Sequence, residues 1–310
     1  MIFLKNTIDY YYNIRIGSLI KSNNDYYFFI NKEEYHFIKY NRPAEDAVSI
    51  YKLNIEMLKR NMLVHVIIPN KDNQVITVIN NIPYILIKLC TYKNQIVNLT
   101  DINYMQNMTY NIEFDKSLLR DNWIKLWSEK IDYYEYQINQ LGKEYPILCD
   151  SLSYFIGLGE NAISYLVNNI NDEKELLVVS HKRIKMNEGS FEFYNPLNFI
   201  VDNRVRDVSE YIKEAFFKDS FSSNELKSYL NNNNFSKNEY VYLLSRLLFP
   251  TFYFDMYDEI INTKINEAII ITILNKIQDY EKFLVSIYKY IVYEKKVHIE
   301  PVEWLLKNDY

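Results

Sequence analysis

The hydrophobic pattern of this chain changes once, near residues 88–104, and this change restricts the fold more than any other feature. Before it, short segments alternate in the manner of strands around one helical segment. Beyond it, apolar residues recur at spacings of three and four. That order is typical of a small sheet with one helix, followed by a mainly helical region. The pattern therefore predicts an α+β protein of two parts, residues 1–90 and 91–310.

The first part is predicted to be mostly β structure. Residues 1–40 alternate between apolar and polar side chains, and Asn31–Glu34 suits a hairpin turn. Pro43 opens a helix, because proline is favoured at helix starts and Glu45 and Asp46 follow in the first turn. The predicted buried stripe of this helix comprises Ala44, Ala47, Val48, Tyr51, Ile55, Leu58 and Met62. The predicted strands are 25–30, 35–40, 64–68, 74–79 and 83–89.

The second part is predicted to be helical. Apolar residues keep to one face of a helix over 121–141, and a long helix is expected over 265–293. Ser222 and Ser236 are each followed three residues later by a glutamate, a pattern that indicates two capping boxes and two further helices. The one β-like interruption in this part is 176–202.

The overall composition argues against several classes of partner. A net charge of −5 and a pI near 5.6 give no electrostatic reason to expect nucleic-acid binding, which needs clustered basic residues. No apolar run reaches the roughly 18–20 residues that cross a bilayer, and the N-terminus lacks the pattern of an export signal. We therefore expect no nucleic acid and no membrane span. We interpret Cys90 and Cys149 as reduced core thiols of a cytosolic protein.

Glycine is scarce, and its scarcity excludes the common phosphate-binding loops. The five glycines include one close pair, Gly157 and Gly159, which lies in a predicted helix where close helix packing explains it. Four histidines and two cysteines show no zinc-ligand spacing. The 30 tyrosines suggest either material destined for cross-linking or codon drift in an AT-rich genome, and their spread along the chain favours drift.

Two segments resemble the catalytic core of kinase-like phosphotransferases. Residues 177–184 read Leu-Val-Val-Ser-His-Lys-Arg-Ile, and residues 199–212 begin Phe-Ile-Val-Asp-Asn-Arg. In such enzymes a strand leads into His-x-Asp-x-x-x-x-Asn, which supplies a base and a metal ligand. Here His181 is present, but Arg183 occupies the base position and Glu188 the asparagine position. Arginine cannot accept the proton, because its pKa stays above about 12.

The chain as a whole resembles the kinase-like spore coat proteins of the CotS/YutH type. The resemblance implies a protein-kinase-like, aminoglycoside-phosphotransferase-like fold of two lobes, with a small β-rich N-lobe at 1–90 and a larger helical C-lobe at 91–310. The degenerate catalytic hairpin would lie in the C-lobe, at 176–202. Four segments carry the likeness, in the expected order over the C-terminal two thirds: 123–131, 157–167, 180–184 with 206–213, and 245–254.

The same resemblance assigns a role to a lysine near the N-terminus. Lys39 matches the phosphate-anchoring lysine, and either Glu45 or Glu56 on the following helix would pair with it. The alternative is an exposed lysine at the end of a strand, without a role in binding. Lys39 is therefore a candidate for nucleotide binding.

Three further residues take roles from the resemblance. His181 matches the histidine that holds the catalytic loop by hydrogen bonds. Asp202 matches the second metal-binding aspartate and is a candidate for metal and nucleotide binding. Asp207 matches an aspartate that supports the loop. Active relatives have a longer spacer between the last two positions.

These departures from the pattern imply a pseudokinase without intact catalytic residues. It would act as a structural or assembly component of the spore coat, with other coat or assembly proteins as partners and no cofactor. Its location would be the mother-cell cytoplasm, with deposition in the coat. The alternative is a divergent active phosphotransferase, acting on small molecules or proteins, in which Asp202 binds Mg–ATP. A third reading is a nucleotide-gated pseudokinase that binds ATP without transferring phosphate.

Overall fold

The computed structural model divides the chain into two compact units. Unit 1 comprises the residues up to Leu119 together with Leu177–Asp202, and unit 2 comprises Arg120–Leu176 together with the residues from Asn203 onwards. The hairpin region therefore groups with the N-terminal sheet, while the predicted lobe boundary stays a prediction. The structure describes residues 2–22, 25–90, 96–171, 176–184 and 189–307.

Unit 1 is built on an antiparallel sheet. Its elements are α1 (Ile2–Tyr12), β1 (Ile20–Ser22), β2 (Asp25–Ile30), β3 (Glu33–Lys39), α2 (Ala44–Lys59), β4 (Val66–Ile68), β5 (Thr77–Ile79), β6 (Ile82–Lys88), α3 (Leu99–Thr109), a 3₁₀ turn (Lys116–Leu118), β7 (Leu177–His181), α6 (Gly189–Phe193), a 3₁₀ turn (Pro196–Asn198) and β8 (Phe199–Asn203), whose last residue belongs to unit 2. The first six strands have the order β1-β2-β3-β6-β4, and β5 pairs with β6. Strand β6 is therefore the centre of the sheet, with Leu86 opposite Phe37 of β3.

Asparagine makes the tight turns of this sheet. Asn31 and Lys32 join β2 to β3, and Asn80 and Asn81 join β5 to β6, all four with positive φ. Two consecutive residues in this conformation suit the two-residue hairpin turn that matches strand twist. In the described part of the chain eleven non-glycine residues have positive φ, and seven of them are asparagine. The scarcity of glycine therefore does not restrict the turns.

Helix α1 corrects the prediction that residues 1–40 are β structure throughout. Ile8 and Tyr12 are buried in one cluster with Phe28 and Phe37 of the sheet. Their spacing of four residues gives a helix one apolar face. Over so short a window this spacing competes with strand alternation, which explains the wrong prediction. The hairpin over 25–39 and the helix after Pro43 are confirmed.

Helix α2 buries a different face from the predicted one. Val48, predicted to be buried, is 52% exposed. The buried face includes Asp46 and Asn54, and the hydrophobic pattern could not assign these polar residues to the core. Asn54 is fully buried because its side-chain amide donates to the carbonyl of His65 and its oxygen accepts from the N–H of Ile67. These bonds join α2 to β4.

Unit 2 is helical, and α9 is its central helix. Its elements are α4 (Trp123–Leu141), α5 (Pro146–Asn169), α7 (Val205–Phe217), α8 (Ser223–Asn232), α9 (Lys237–Leu248), α10 (Thr251–Thr263), a 3₁₀ turn (Glu267–Ile270), α11 (Ile271–Leu274), α12 (Ile277–Lys289), a π-helical turn (Tyr290–Glu294) and α13 (Glu303–Lys307). Every residue of α9 from Asn238 to Leu248 is buried. A helix buried on all sides is a core helix. Among the described helices, none has the length and apolar composition needed to cross a bilayer.

In unit 2 both predicted helix starts are confirmed, one of the two predicted capping boxes is complete, and one predicted helix is corrected. Ser222 and Ser236 cap α8 and α9, and Ser236 forms the complete capping box with Glu239. The single helix predicted over 265–293 is instead interrupted by 3₁₀ and π-helical turns. One cause is non-local, because the carboxylate of Glu267 accepts from the N–H groups of Ile147 and Leu148 at the start of α5. Helical periodicity alone carries no sign of that contact.

Candidate functional site

The hairpin of β7 and β8 is fixed within unit 1 along both strands. The two strands pair with each other, and the Lys182 N–H donates to the Asn198 carbonyl at 2.8 Å. In β7 the Val179 N–H donates to Thr109 Oγ1 at the end of α3, and in β8 Val201 bridges to Leu119. All five residues of β8 are buried. The sequence motif therefore lies on a rigid two-stranded element.

His181 is the last residue of β7 and is buried. It is 2% exposed, and its Nε2 lies 2.8 Å from the Phe193 carbonyl oxygen. Because a carbonyl only accepts, Nε2 carries the proton and donates. The imidazole also stacks on the Phe193 ring, with centroids 4.7 Å apart. This geometry fits the loop-holding role that the resemblance implies.

Arg183 lies two residues beyond His181, just after β7, and it is exposed. A guanidinium at this position presents only donors and stays charged at any physiological pH. Glu188, the other departure from the motif, lies outside the described residues.

Asp202 and Asp207 lie at the end of β8 and in the first turn of α7. Asp202 is 1% exposed and Asp207 is 3% exposed. Strand β8 ends at Asn203 and α7 begins at Val205, so Arg204 alone joins the two elements. The Asn203 side-chain oxygen accepts from the Val205 N–H at 3.1 Å, a local turn that leads directly into the helix. The short spacer seen in the sequence is thus a direct strand-to-helix junction.

Arg204 is held firmly at this junction. Its Nε and one terminal nitrogen donate to the two carboxylate oxygens of Glu239, the latter at 2.9 Å. Glu239 is in turn the capping-box residue of α9, and the Arg204 guanidinium lies 4.2 Å from the Phe235 ring centroid. A bidentate pair of this kind has a defined geometry as well as favourable energy.

Lys39 is the last residue of β3 and is exposed. Its backbone N–H donates to Asp25 Oδ1, but its ammonium has no ion-pair partner among the residues that the structure describes. Glu45 is exposed, and Glu56 accepts from Lys59 at 2.6 Å. Neither of the two predicted pairs with Lys39 is formed. A role for Lys39 in nucleotide binding stays a prediction.

The sequence did not predict the ion pair that α2 makes. Arg42, just before the helix, donates through Nε and one terminal nitrogen to Asp46 Oδ2 at 3.1 and 3.0 Å. Its other terminal nitrogen donates to the carbonyls of Leu197 and Phe199, at 3.2 and 2.7 Å. The side chains of Arg42 and Asp46 are only 4% and 7% exposed. This buried pair therefore ties α2 to the start of the strand that carries Asp202.

A second group of contacts joins the same segment to the sheet. The His65 N–H donates to the Tyr194 carbonyl at 3.0 Å. The Phe191 ring lies between two imidazoles, 5.2 Å from His65 and 4.9 Å from His36 by ring centroids. The segment between β7 and β8 is thus attached to β3 and to the start of β4 as well as to Arg42.

The two cysteines differ in their surroundings. His65 Nδ1 accepts from the Cys90 N–H at 3.3 Å and lies 3.1 Å from the Cys90 sulfur. Burial lowers the pKa of His65 to about 4 and raises the pKa of Cys90 to about 11. At neutral pH the imidazole is therefore neutral and Cys90 remains a thiol, which is not a nucleophile. Cys149 is exposed on α5, so its prediction as a core thiol was wrong.

The described hairpin offers one candidate ligand for a magnesium–nucleotide complex, and Glu188, at the asparagine position, lies outside the described residues. Kinase chemistry uses at least two protein ligands for its metal ions. Within the described ranges, no group of three or more His, Cys, Asp or Glu side chains is placed to hold a metal ion. Asp202 is the one carboxylate on β7 and β8.

The family of the chain follows from comparison with known proteins. The family model described as "Spore coat putative kinase YutH" matches residues 5–287. The chain belongs to this family. Endospore coat-associated protein YutH of Bacillus subtilis is 28% identical over 209 residues, which make up 60% of this chain and 62% of that protein. The match thus spans less than two thirds of the relative's length.

Solved structures similar to this YutH-family chain are phosphotransferases. An aminoglycoside phosphotransferase from Alicyclobacillus acidocaldarius has a TM-score of 0.67 at 9% identity, over 90% of this chain and 94% of that one. Spectinomycin phosphotransferase with ADP and spectinomycin gives 0.59 at 13%, over 82% and 87%. Amicoumacin kinase with AMP-PNP and Ca²⁺ gives 0.57 at 11%, over 98% and 96%. At such identities they show the fold, which is the predicted α+β, aminoglycoside-phosphotransferase-like class.

Residues from 123–131, 206–213 and 245–254, which carry part of the YutH likeness, meet inside unit 2. The guanidinium groups of Arg206 and Arg246 lie 4.5 and 4.3 Å from the ring centroid of Trp123. Trp127, one turn further along α4, stacks on Phe249 with centroids 4.6 Å apart. We call these five residues the tryptophan–arginine cluster. Cation–π contacts are stronger when desolvated, and Arg246 is 1% exposed.

One of the two glycines of α5, Gly159, packs against the same cluster. A Cβ at Gly159 would lie 3.0 Å from Ile131 Cδ1 and 3.5 Å from the Phe249 ring, so glycine permits the close approach of α5. A Cβ at Gly157 would meet nothing within 4 Å. The packing prediction is confirmed for Gly159 and wrong for Gly157.

A buried ion pair completes these contacts. Lys213 Nζ donates to Glu210 Oε1 at 2.9 Å and to the carbonyls of Arg246 and Phe249 at 2.8 and 3.2 Å. Thr251 donates to the other oxygen of Glu210 at 2.7 Å. Burial alone would raise the pKa of Glu210, but the charge of Lys213 and these hydrogen bonds lower it to about 2. The segments that resemble the family thus supply contacts between helices.

Proposed function

We propose that this YutH-family protein is a pseudokinase that acts by binding, as a structural or assembly component of the spore coat. The observation that carries the proposal is Arg183 in the position of the catalytic base, two residues after the buried His181. Removal of a general base costs about 10²–10⁴ in rate. An arginine there also adds a fixed positive charge where a proton must be accepted.

The contacts of α2 support the same proposal. In kinases a strand lysine pairs with a helix glutamate to place the phosphates. Here Arg42 and Asp46 form the buried ion pair, and Arg42 binds the backbone before β8. The start of this helix is therefore attached to the hairpin through Arg42. Lys39 has no carboxylate partner in the described part of the chain.

The partners and location follow from the family. The Bacillus subtilis relative is named as an endospore coat-associated protein. We propose other coat or assembly proteins as partners, the mother-cell cytoplasm as the site of synthesis, and the coat as the site of deposition. No cofactor is required for such a role.

A divergent active phosphotransferase is the second candidate, and Asp202 favours it. This carboxylate keeps the position that binds metal in the kinase pattern. Spectinomycin phosphotransferase and amicoumacin kinase have been solved with ADP and with AMP-PNP and Ca²⁺. In this reading Asp202 binds Mg–ATP, Lys39 contacts phosphate, and Asp207 supports the loop. The substrate is a small molecule or a protein.

Calorimetric titration of the whole chain with Mg–ATP, beside an assay for ADP formation, separates the candidates. The binding role predicts neither heat of binding nor ADP. Micromolar binding that Asp202→Asn abolishes, together with ADP formation, would establish the enzyme. Binding without ADP would indicate the nucleotide-gated pseudokinase. Asp219→Asn is the matched control, because Asp219 is exposed and pairs only with Lys276 in the described structure.

A further inference from the structure

Unit 2 contains a cavity with apolar walls that lies among elements without a role in the hairpin. Helix α8, helix α12 and the π-helical turn enclose about 450 Å³. Ligand sites in proteins commonly measure roughly 300–1,000 Å³. The walls are formed by Phe221, Leu226, Leu230, Phe283, Ile287 and Tyr290. The cavity therefore has room for a large apolar side chain.

The π-helical turn fixes one wall of this cavity. The Lys295 N–H donates to the Tyr290 carbonyl at 3.0 Å, which closes the wide turn. The Tyr290 hydroxyl donates to Asn231 Oδ1 at 2.7 Å, and the Lys295 ammonium donates to the same oxygen at 3.3 Å. Single π-helical turns are rare and are frequent at functional sites. The aromatic wall is thus held in place without a ligand.

The mouth of the cavity is basic although the chain is acidic. Lys227 and Lys289 line the cavity, and Glu294 is the one carboxylate among its lining residues. The chain as a whole has a formal charge of −5. Lys227 is exposed and makes no ion pair among the described residues. Acidic groups are the complementary partners of such a mouth.

An exposed aromatic residue extends this surface beyond the opening. Tyr293 is 71% exposed and also lines the cavity. Tyrosine is enriched in protein interfaces, where its ring adds contact area at a low cost in conformational entropy. An exposed aromatic ring beside an apolar cavity and a lysine favours a protein segment as the occupant.

We propose that this cavity receives a large apolar side chain of a partner protein, from a segment in which Asp or Glu residues flank that side chain. The inference rests on the proposed binding role and names the chemistry of the partner. The apolar side chain fills the cavity, and a flanking carboxylate pairs with Lys227 at the mouth.

Selection from a random-peptide phage library on the whole chain tests the proposal. We expect the selected peptides to share one aromatic or aliphatic residue flanked by Asp or Glu. Synthetic copies of these peptides, measured by fluorescence anisotropy, should lose about tenfold or more in affinity for Lys227→Glu, which reverses the charge at the mouth. Ser286→Trp should cost as much, because Ser286 is exposed at the cavity and the indole would block it.

The matched control is Lys282→Glu, which makes the same charge change on α12 outside the cavity. Lys282 is 77% exposed and pairs with Asp279. We expect less than about a twofold effect from this exposed charge. Peptides that bind all three variants equally, or that lack the apolar and acidic pattern, would overturn the proposal. So would binding of the chain to phosphatidylglycerol vesicles, lost in Lys227→Glu, in place of peptide binding.

A second readout separates this inference from the proposed function. The whole chain, fused to a fluorescent protein, is expressed in sporulating Bacillus subtilis. Loss of coat recruitment in Lys227→Glu and Ser286→Trp, but not in Lys282→Glu, supports the cavity as the partner site. Normal recruitment of all variants overturns the cavity and leaves the coat role intact. Failure of the unmodified chain to reach the coat counts against the coat role instead.

Discussion

The hairpin region of unit 1 and the tryptophan–arginine cluster of unit 2 both depend on buried cations, but they differ in what those cations bind. In unit 1 the guanidinium of Arg42 binds Asp46 and two backbone carbonyls. In unit 2 the guanidinium groups of Arg206 and Arg246 lie against Trp123. The cluster residues lie in the segments 123–131, 206–213 and 245–254, whereas Arg42 lies in none of the four segments that carry the resemblance, although the family model covers it. Similar burial therefore goes with two kinds of partner, oxygen acceptors in unit 1 and aromatic rings in unit 2.

Removal of Lys213 tests whether the unit 2 contacts are as strong as their burial implies. Lys213→Met leaves the Glu210 carboxylate without its cation and two carbonyls without their donor. We expect a loss of about 3–5 kcal/mol in the free energy of unfolding, measured by urea denaturation. Lys218→Met, just after the same helix, removes a partly exposed pair with Glu214 and should cost less than about 1 kcal/mol. Equal losses would contradict the distinction.

Replacement of Arg42 is the corresponding test in unit 1. Arg42→Ala leaves Asp46 buried without a partner, and we expect a loss of about 2–4 kcal/mol. Hydrogen exchange should accelerate at residues 199–203. Arg42→Lys should recover less than half, because an ammonium cannot span the carboxylate and both carbonyls as the planar group does. Full recovery by lysine would show that charge alone holds the hairpin.

The pH dependence of stability isolates the carboxylate of unit 2. The folded-state pKa of Glu210 is lowered from 4.5 to about 2. Its contribution to the free energy of unfolding is therefore present above the unfolded-state pKa and is lost as the pH falls through the folded-state pKa. Glu210→Gln should be less stable than the unmodified chain at pH 7. Between pH 5 and 2, its free energy of unfolding should fall by on the order of 2–3 kcal/mol less than that of the unmodified chain. Parallel curves for the two proteins would refute this assignment.

The two glycines of α5 give the smallest and most closely matched test. Gly157→Ala fills open space and should stabilise the protein by about 0.5–1 kcal/mol, because alanine favours the helix. Gly159→Ala places its methyl group 3.0 Å from Ile131, and the crowding should offset that gain. We expect the two variants to differ by about 1 kcal/mol in thermal denaturation. A similar gain at both positions would mean that the packing of α4 on α5 adjusts to the added methyl group at little cost in stability.

Local signals in the sequence predicted most elements correctly. The hairpin over 25–39, the helix after Pro43 and the box of Ser236 with Glu239 depend on residues close together in the chain. The errors arise where distant polar contacts decide. Asp46 is on the buried face of α2 because it pairs with Arg42. Glu267, before α11, accepts a hydrogen bond from the backbone at the start of α5. Hydrophobic periodicity does not register contacts of this kind.

Arginine usage is the signal that could have found Arg42. The chain has 27 lysines and 8 arginines. In such a composition, an arginine indicates a place where the planar group is needed. Arg42, Arg60 and Arg204 each donate at least three hydrogen bonds to carbonyl or carboxylate oxygens. Their partners, however, lie up to 157 residues away, so the sequence could indicate the sites without identifying the contacts.

The single residue between β8 and α7 has a consequence for control by modification. Kinases are commonly switched through a segment after the metal-binding aspartate, which is ordered or released by phosphorylation. A switch of that kind requires an element with two alternative arrangements. Arg204 offers no slack, and any second arrangement would have to break its fork with Glu239. At this position there is no loop for a phosphate to order or release.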